Sequence, residues 1–204
     1  MLNGAFRQAV AERLIDYNPM LAVEHVKSKR EKGRALTQDE QTEFIRAIRG
    51  DRSERYFLFC LYSGCRRSEV LELCREDIDE NAGTIHVRGT KTKSSDRYIP
   101  LFDTIKNILS DLPRAGKLFE FGTDYVTKRF KMFCPEHTLH DLRHTFATRA
   151  LEAGIPMKVV QTWLGHSEIS TTADVYSDVT RDLSLSEAHK LDKLFGGEPS
   201  DTDE

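Results

Sequence analysis

The sequence predicts a mostly helical α+β domain with one small antiparallel sheet, and three observations carry that prediction. Apolar residues recur at three- and four-residue steps over long stretches, as in Leu139, Leu142, Phe146 and Ala150, or Phe44, Ile45 and Ile48. Strict alternation is confined to two short runs, residues 84–88 and 97–101, on either side of a polar tip. Between the periodic stretches stand start and stop signals: Thr37-Gln38-Asp39-Glu40 has the form of a capping box, and Gly64, Gly154 and Pro156 interrupt the helical pattern.

Taken in order, residues 2–16 read as a short helix with Phe6, Val10 and Leu14 on one stripe, ended by Asn18-Pro19. Residues 27–34, with five basic side chains, one acid and a glycine, read as a linker or as a plain solvated charge run. After the capping box comes a helix with Phe44, Ile45 and Ile48 inward. Residues 54–62 form a strongly apolar helix that stops at Ser63-Gly64, and a new helix from about Arg66 buries Val70, Leu71 and Leu73. The glycine break puts Arg66 at a helix start facing a cleft, with Glu69 one turn on.

The alternating runs place Ile85 and Val87 on one face, His86 and Arg88 on the other, and make a hairpin whose tip, 89–96, is basic. Residues 103–112 are a further helix, and 119–133 an aromatic-basic stretch. A helix then runs from Leu139 to about Ala153, with Gly154 as its cap, and Pro156 opens the next, which ends at Gly165. Ser170-Thr171-Thr172 caps a short helix holding Tyr176. Ala188, Leu191, Leu194 and Phe195 form an apolar stripe on a last helix, and the acidic tail 196–204 is expected to be disordered.

At 204 residues, with 39% hydrophobic and 31% charged side chains, the chain suits one domain, or one domain with a fragment attached. No apolar run approaches the roughly 20 residues that span a bilayer, and Met1 opens no signal-peptide pattern. Cys60, Cys65, Cys74 and Cys134 form no C-x-x-C pair and read as reduced thiols, so a cytoplasmic protein is expected. The net charge of −3 runs against the basic excess usual for DNA binding. Its distribution softens this, since residues 186–204 hold six acids against two lysines and the rest of the chain carries 28 basic and 27 acidic groups.

Four pieces of sequence point at one chemistry. His140, Arg143 and His144 stand at i, i+3 and i+4, aligning two imidazoles and a guanidinium toward something anionic. Arg66 adds a second guanidinium, the hairpin tip offers Lys91 or Lys93, and Leu164-Gly165-His166 is followed ten residues later by Tyr176. A phosphodiester under attack builds charge on its non-bridging oxygens, and cleaving it needs fixed donors there, an in-line nucleophile and an acid for the leaving oxygen. His140-Asp141-Leu142-Arg143-His144, with His137 nearby, also reads as H-D-x-x-H, close to a zinc-binding H-E-x-x-H helix. A zinc hydrolase needs a third ligand and a general-base carboxylate, for which Asp141 is one carbon short, and Arg143 on the ligand face repels a dication.

In chain order, Arg66 with Glu69, Lys91, His140 with Arg143, His166 and Tyr176 resemble the tyrosine recombinases, the phage-integrase family, over roughly residues 35–195. The resemblance implies a catalytic domain at 35–195, preceded at 1–34 by the last helix of a core-binding domain, otherwise missing here, and its DNA-crossing linker. It implies site-specific recombination of double-stranded DNA through a covalent 3′-phosphotyrosyl link, without metal, ATP or other cofactor. Tyr176 is then the nucleophile, Arg66, Arg143, His140 and His166 stabilise charge or move protons, and Lys91 protonates the leaving 5′ oxygen, with Lys93 its rival. Glu69 and His144 support, while Lys93, Arg97, Lys128 and Arg129 are candidate DNA contacts. The implied assembly is a homotetramer on DNA, with helix 183–195 docked on a neighbouring protomer or, as a plainer alternative, folded against its own domain. This chain alone is expected to be monomeric. A type IB topoisomerase and a non-catalytic DNA-binding module of the same fold are the competing functions.

Overall fold

The computed structural model describes residues 2–22, 33–89 and 96–165. The chain divides into two units, residues 1–32 and 33–204. In the first, helix α1 (Leu2–Ala11) is followed by a 3₁₀ turn, Pro19–Ala22. Here the helix is shorter than its apolar stripe suggests. Arg13 adopts a left-handed conformation and the Leu14 amide reaches back to the Ala9 carbonyl (2.9 Å), so the helix closes early and Leu14 is left exposed. Asn18 is buried, donating to Asn3 Oδ1 (2.9 Å) and accepting from the Met20 amide (3.0 Å).

The second unit begins with an extended segment, 33–37, that leads into α2 (Gln38–Ile48). Thr37 Oγ1 accepts the Glu40 amide (3.2 Å) and the Glu40 carboxylate accepts the Thr37 amide (2.8 Å), which makes the capping box real. Helix α3 (Glu54–Ser63) follows, burying Tyr56, Phe57, Phe59, Cys60 and Leu61. Apolar nearly all round, it has to be central, and α2, α4 (Arg67–Glu72), α5 (Asp103–Leu109) and α7 (Asp141–Glu152) all pack against it. Phe44, Tyr56, Phe57, Phe59, Phe119 and Phe130 interlock mostly edge to face, with centroids 5.4–6.0 Å apart. Helices α6 (Thr123–Phe133) and α8 (Met157–Leu164) complete the set. The stretch expected only to be aromatic and basic is therefore helical, with Val126 and Phe130 buried one turn apart.

The sheet has three antiparallel strands in the order β1 (Ile78–Asp79), β2 (Thr84–Val87), β3 (Arg97–Pro100). Ile85 pairs with Ile99 and Val87 with Arg97, so the buried face holds Ile85, Val87, Ile99 and, at its end, Arg97. The expected hairpin is thus present; its tip, with Lys91 and Lys93, lies outside the described residues.

Two features set the position of α7. Gly64 ends α3 at φ +64°, turning the chain so that Arg66 falls at the start of α4. The entering segment is sewn to α7: the Leu36 amide donates to Thr145 Oγ1 (2.9 Å) and the Leu36 carbonyl accepts from Arg149 Nη2 (2.8 Å).

Candidate active site

Arg66 sits at the N-cap of α4 in extended conformation, because the amide it would otherwise leave open donates to Glu69 Oε2 (2.7 Å), three residues on. Its side chain turns back as well, with Nη1 2.7 Å from Glu69 Oε1. Across a cleft of about 370 Å³, Arg66 faces His140 and Arg143, with Cys65, Thr127 and Thr138 among the other lining residues. His140 caps the start of α7, and its ring meets His144 edge-on at 4.9 Å between centroids. Arg66, His140 and Arg143 thus line one cleft.

Arg143 does not point outward with the two histidines. It is 3% exposed, donating from Nη1 to the Gly64 carbonyl (2.8 Å) and from Nη2 to the Leu164 carbonyl (2.6 Å). Burial, and then the charge of Arg66, weaken its hold on its proton, to about 9. His140 is pushed down to about 4, first by burial and then by His144 and Arg143, while His144 is lowered mainly by burial. At neutral pH the free cleft, which Arg67 also lines, therefore presents three guanidiniums and the neutral His140 imidazole, and an anion between Arg66 and Arg143 relieves their like-charge repulsion.

Arg97 corrects the sequence reading. Expected on DNA, its side chain is 4% exposed and both terminal nitrogens donate to Glu69, Nη1 to Oε1 at 3.0 Å and Nη2 to Oε2 at 2.9 Å. Burial alone would raise the Glu69 carboxyl, but the hydrogen bonds and charge of Arg97, aided by Arg66, bring it down to about 2. The period of the strand held the missed signal, since Arg97 shares a face with Ile99 and Leu101. Arg129 is half-buried, its Nε 3.0 Å from Asp51 Oδ2 and its guanidinium over the Phe133 ring, so its charge is already partnered within the fold. Lys128 is exposed on α6. Lys91, Lys93, His166 and Tyr176 lie outside the described residues.

For the zinc alternative, no group of three or more His, Cys, Asp or Glu side chains is arranged to hold a metal among the described residues. His137 is buried, with one ring nitrogen 3.4 Å from Glu40 and the other 3.4 Å from Asp141.

In this α+β domain, the guanidiniums and the imidazole that line one cleft have the chemistry to receive an anion. Comparison with known proteins sharpens this. The model of the phage integrase family matches residues 34–131 and 122–182. Tyrosine recombinase XerA of Thermococcus kodakarensis is 33% identical over an alignment of 186 residues that covers 80% of this chain and 65% of that protein. Tyrosine recombinase XerC of Halalkalibacterium halodurans is 31% identical over 216 residues, covering 89% of this chain and 69% of that one. A crystal structure of XerA recombinase superposes with a TM-score of 0.63 at 25% identity, over 75% of this chain and 63% of that one. A lambda integrase dimer bound to a core site gives 0.71 at 23% identity, over 85% and 56%, a likeness of fold. The chain belongs to the phage integrase family. It spans 64–65% of the length of three XerA proteins it matches.

Proposed function

We propose that this chain carries the catalytic domain of a site-specific DNA recombinase that cuts and rejoins double-stranded DNA through a 3′-phosphotyrosyl link on Tyr176. The observation that carries the reading is the facing pair Arg66 and Arg143 beside His140 in one cleft. The phenol oxygen of Tyr176 attacks phosphorus and the 5′ oxygen leaves, so the strand ends as a phosphodiester to tyrosine and a free 5′ hydroxyl. Arg66, Arg143 and His140 donate to the non-bridging oxygens, where charge rises in the transition state. Lys91 supplies the proton to the 5′ oxygen, and His166 holds or takes the phenol proton. Because the bond energy stays in the phosphotyrosine, rejoining to another strand needs no ATP, and no step calls on a metal. Relatives named tyrosine recombinases at 31–33% identity favour this over a topoisomerase.

The reading extends to assembly. An apolar hollow of about 560 Å³ opens between α3, α7 and α8, lined by Leu61, Tyr62, Phe102, Phe146, Ala150 and Trp163, among others. The stripe Ala188, Leu191, Leu194 and Phe195 has the chemistry to fill such a hollow on a neighbouring protomer, which makes a head-to-tail contact that closes into a tetramer on paired DNA. Domain limits of 1–34 and 35–195 belong to the same proposal, as does a cytoplasmic location.

The test is a nicked suicide duplex incubated with the protein and run on a denaturing gel. A covalent adduct is expected from wild type, with or without EDTA, and none from Tyr176→Phe, whose DNA affinity stays within a few-fold. Adduct from the phenylalanine variant means another nucleophile, and loss of adduct in EDTA revives the zinc reading. Deleting residues 183–204 is expected to spare the fold and impair exchange between full sites. A deletion that unfolds the domain places the helix in cis.

A further inference from the structure

We propose that Arg97 is a positioning residue for this site, acting on Arg66 through Glu69 so that the Arg66 charge stays available to a bound phosphate. The inference rests on the recombinase reading above. Three buried or half-buried groups form one unit: Glu69, 9% exposed at its side chain, Arg97 at 4% and Arg66 at 37%. Each Glu69 oxygen is used twice, Oε1 by Arg66 Nη1 and Arg97 Nη1, Oε2 by the Arg66 amide and Arg97 Nη2. Counted as charges, the three groups sum to one positive charge, and the member with most solvent access is Arg66, on the cleft.

Remove Arg97 and the count changes. Arg66 and Glu69 alone form a neutral pair, and the carboxylate 2.7 Å from Nη1 competes with any phosphate for the same guanidinium. At that distance, and with Glu69 9% exposed, the two charges act strongly on one another although Arg66 meets solvent. Arg97 also donates from Nε to the Trp163 carbonyl, next to the Leu164 carbonyl held by Arg143 and the Gly165 carbonyl 3.4 Å from Arg66 Nη2. Three arginines from three elements thus grip consecutive carbonyls at the end of α8, where the helix dipole is negative. His166 is the next residue in the chain. Arg97 therefore helps fix the point from which that residue departs.

The experiment measures single-turnover adduct formation on the nicked duplex, alongside DNA affinity and thermal melting. Arg97→Met is expected to slow adduct formation about tenfold or more, below the 10²–10³ lost with a direct oxyanion donor, while affinity falls only a few-fold. The decisive variant pairs it with Glu69→Gln. Removing both buried charges restores the Arg66 charge, so the double variant is expected to react faster than Arg97→Met alone, which a merely structural role does not predict. A double variant as slow as, or slower than, the single one overturns the inference, and so does a wild-type rate in Arg97→Met. If Arg97→Met does not fold, Arg97→Lys keeps the charge and is expected to lose only a few-fold; a folded lysine variant that has lost tenfold or more also overturns it. Wild type that forms no adduct sinks the recombinase reading itself, and this inference with it.

Discussion

Gly64→Ala isolates the joint between the core and the site. Gly64 holds φ +64°, and an added Cβ meets Phe146 Cδ1 at 2.5 Å and Leu164 Cδ2 at 2.8 Å. The left-handed conformation costs a side chain about 1 kcal/mol, and forcing a methyl into packed rings another 1–3 kcal/mol. Gly50 is the internal control, because its φ is +77° but nothing lies within 4 Å of its added Cβ. Gly50→Ala therefore pays only the conformational part. For a domain of this size these costs translate into a melting midpoint lowered by roughly 8–16 °C for Gly64→Ala, against about 4 °C for Gly50→Ala. Thermal unfolding followed by circular dichroism reads both. The Gly64 carbonyl also accepts from Arg143 (2.8 Å), so any backbone relaxation displaces that guanidinium, and adduct formation falls in the same variant. Equal shifts for the two alanines refute the close packing of Gly64 on α7 and α8.

Three further outcomes are expected. In a nitrogen-15 NMR titration His140 gains its proton near pH 4 in the free protein, and nicked DNA raises that value by more than a unit, since phosphate favours the imidazolium; an unchanged value on DNA removes His140 from the phosphate. Glu69, ordinarily at 4.5, is held to about 2 in the fold, so its stabilisation of about 3 kcal/mol is present above pH 4.5 and lost as pH falls toward 2; denaturant unfolding should show that loss, and Glu69→Gln should flatten it. Lys128→Ala is expected to leave melting unchanged and reduce the salt slope of DNA binding by about 1, whereas Arg129→Ala lowers the melting midpoint through its lost Asp51 pair and leaves the slope alone.

Much of the fold was legible because it is written in local signals. The Thr37 box, the apolar run of α3, the Gly64 stop and the alternation around the hairpin each reflect a backbone requirement that one or two residue types meet. Helix α6 escaped because Phe119 and Phe121 extend the aromatic pattern back past its true start at Thr123 and, with Tyr125 inside it, blur the 3.6-residue period of Val126 and Phe130. At the site, the spacing of His140 and Arg143 revealed partners but not directions. A guanidinium three residues after His140 reads as sharing its outward face, yet Arg143 is drawn inward by two carbonyls from parts of the chain 79 and 21 residues away. The inward Arg97 was hidden for a related reason: a charge on a strand is read as solvated unless its buried counter-charge is known, and Glu69 stands 28 residues earlier.

The stitching of the entering segment to α7 has a mechanical consequence. Leu36 is fastened by its amide to Thr145 and by its carbonyl to Arg149, two points one helical turn, about 6 Å, apart along the same helix. A load on residues 33–35 therefore meets both hydrogen bonds to α7 and the buried Leu36 side chain together, so the entering segment and α7, which carries Arg143, are expected to move as one body.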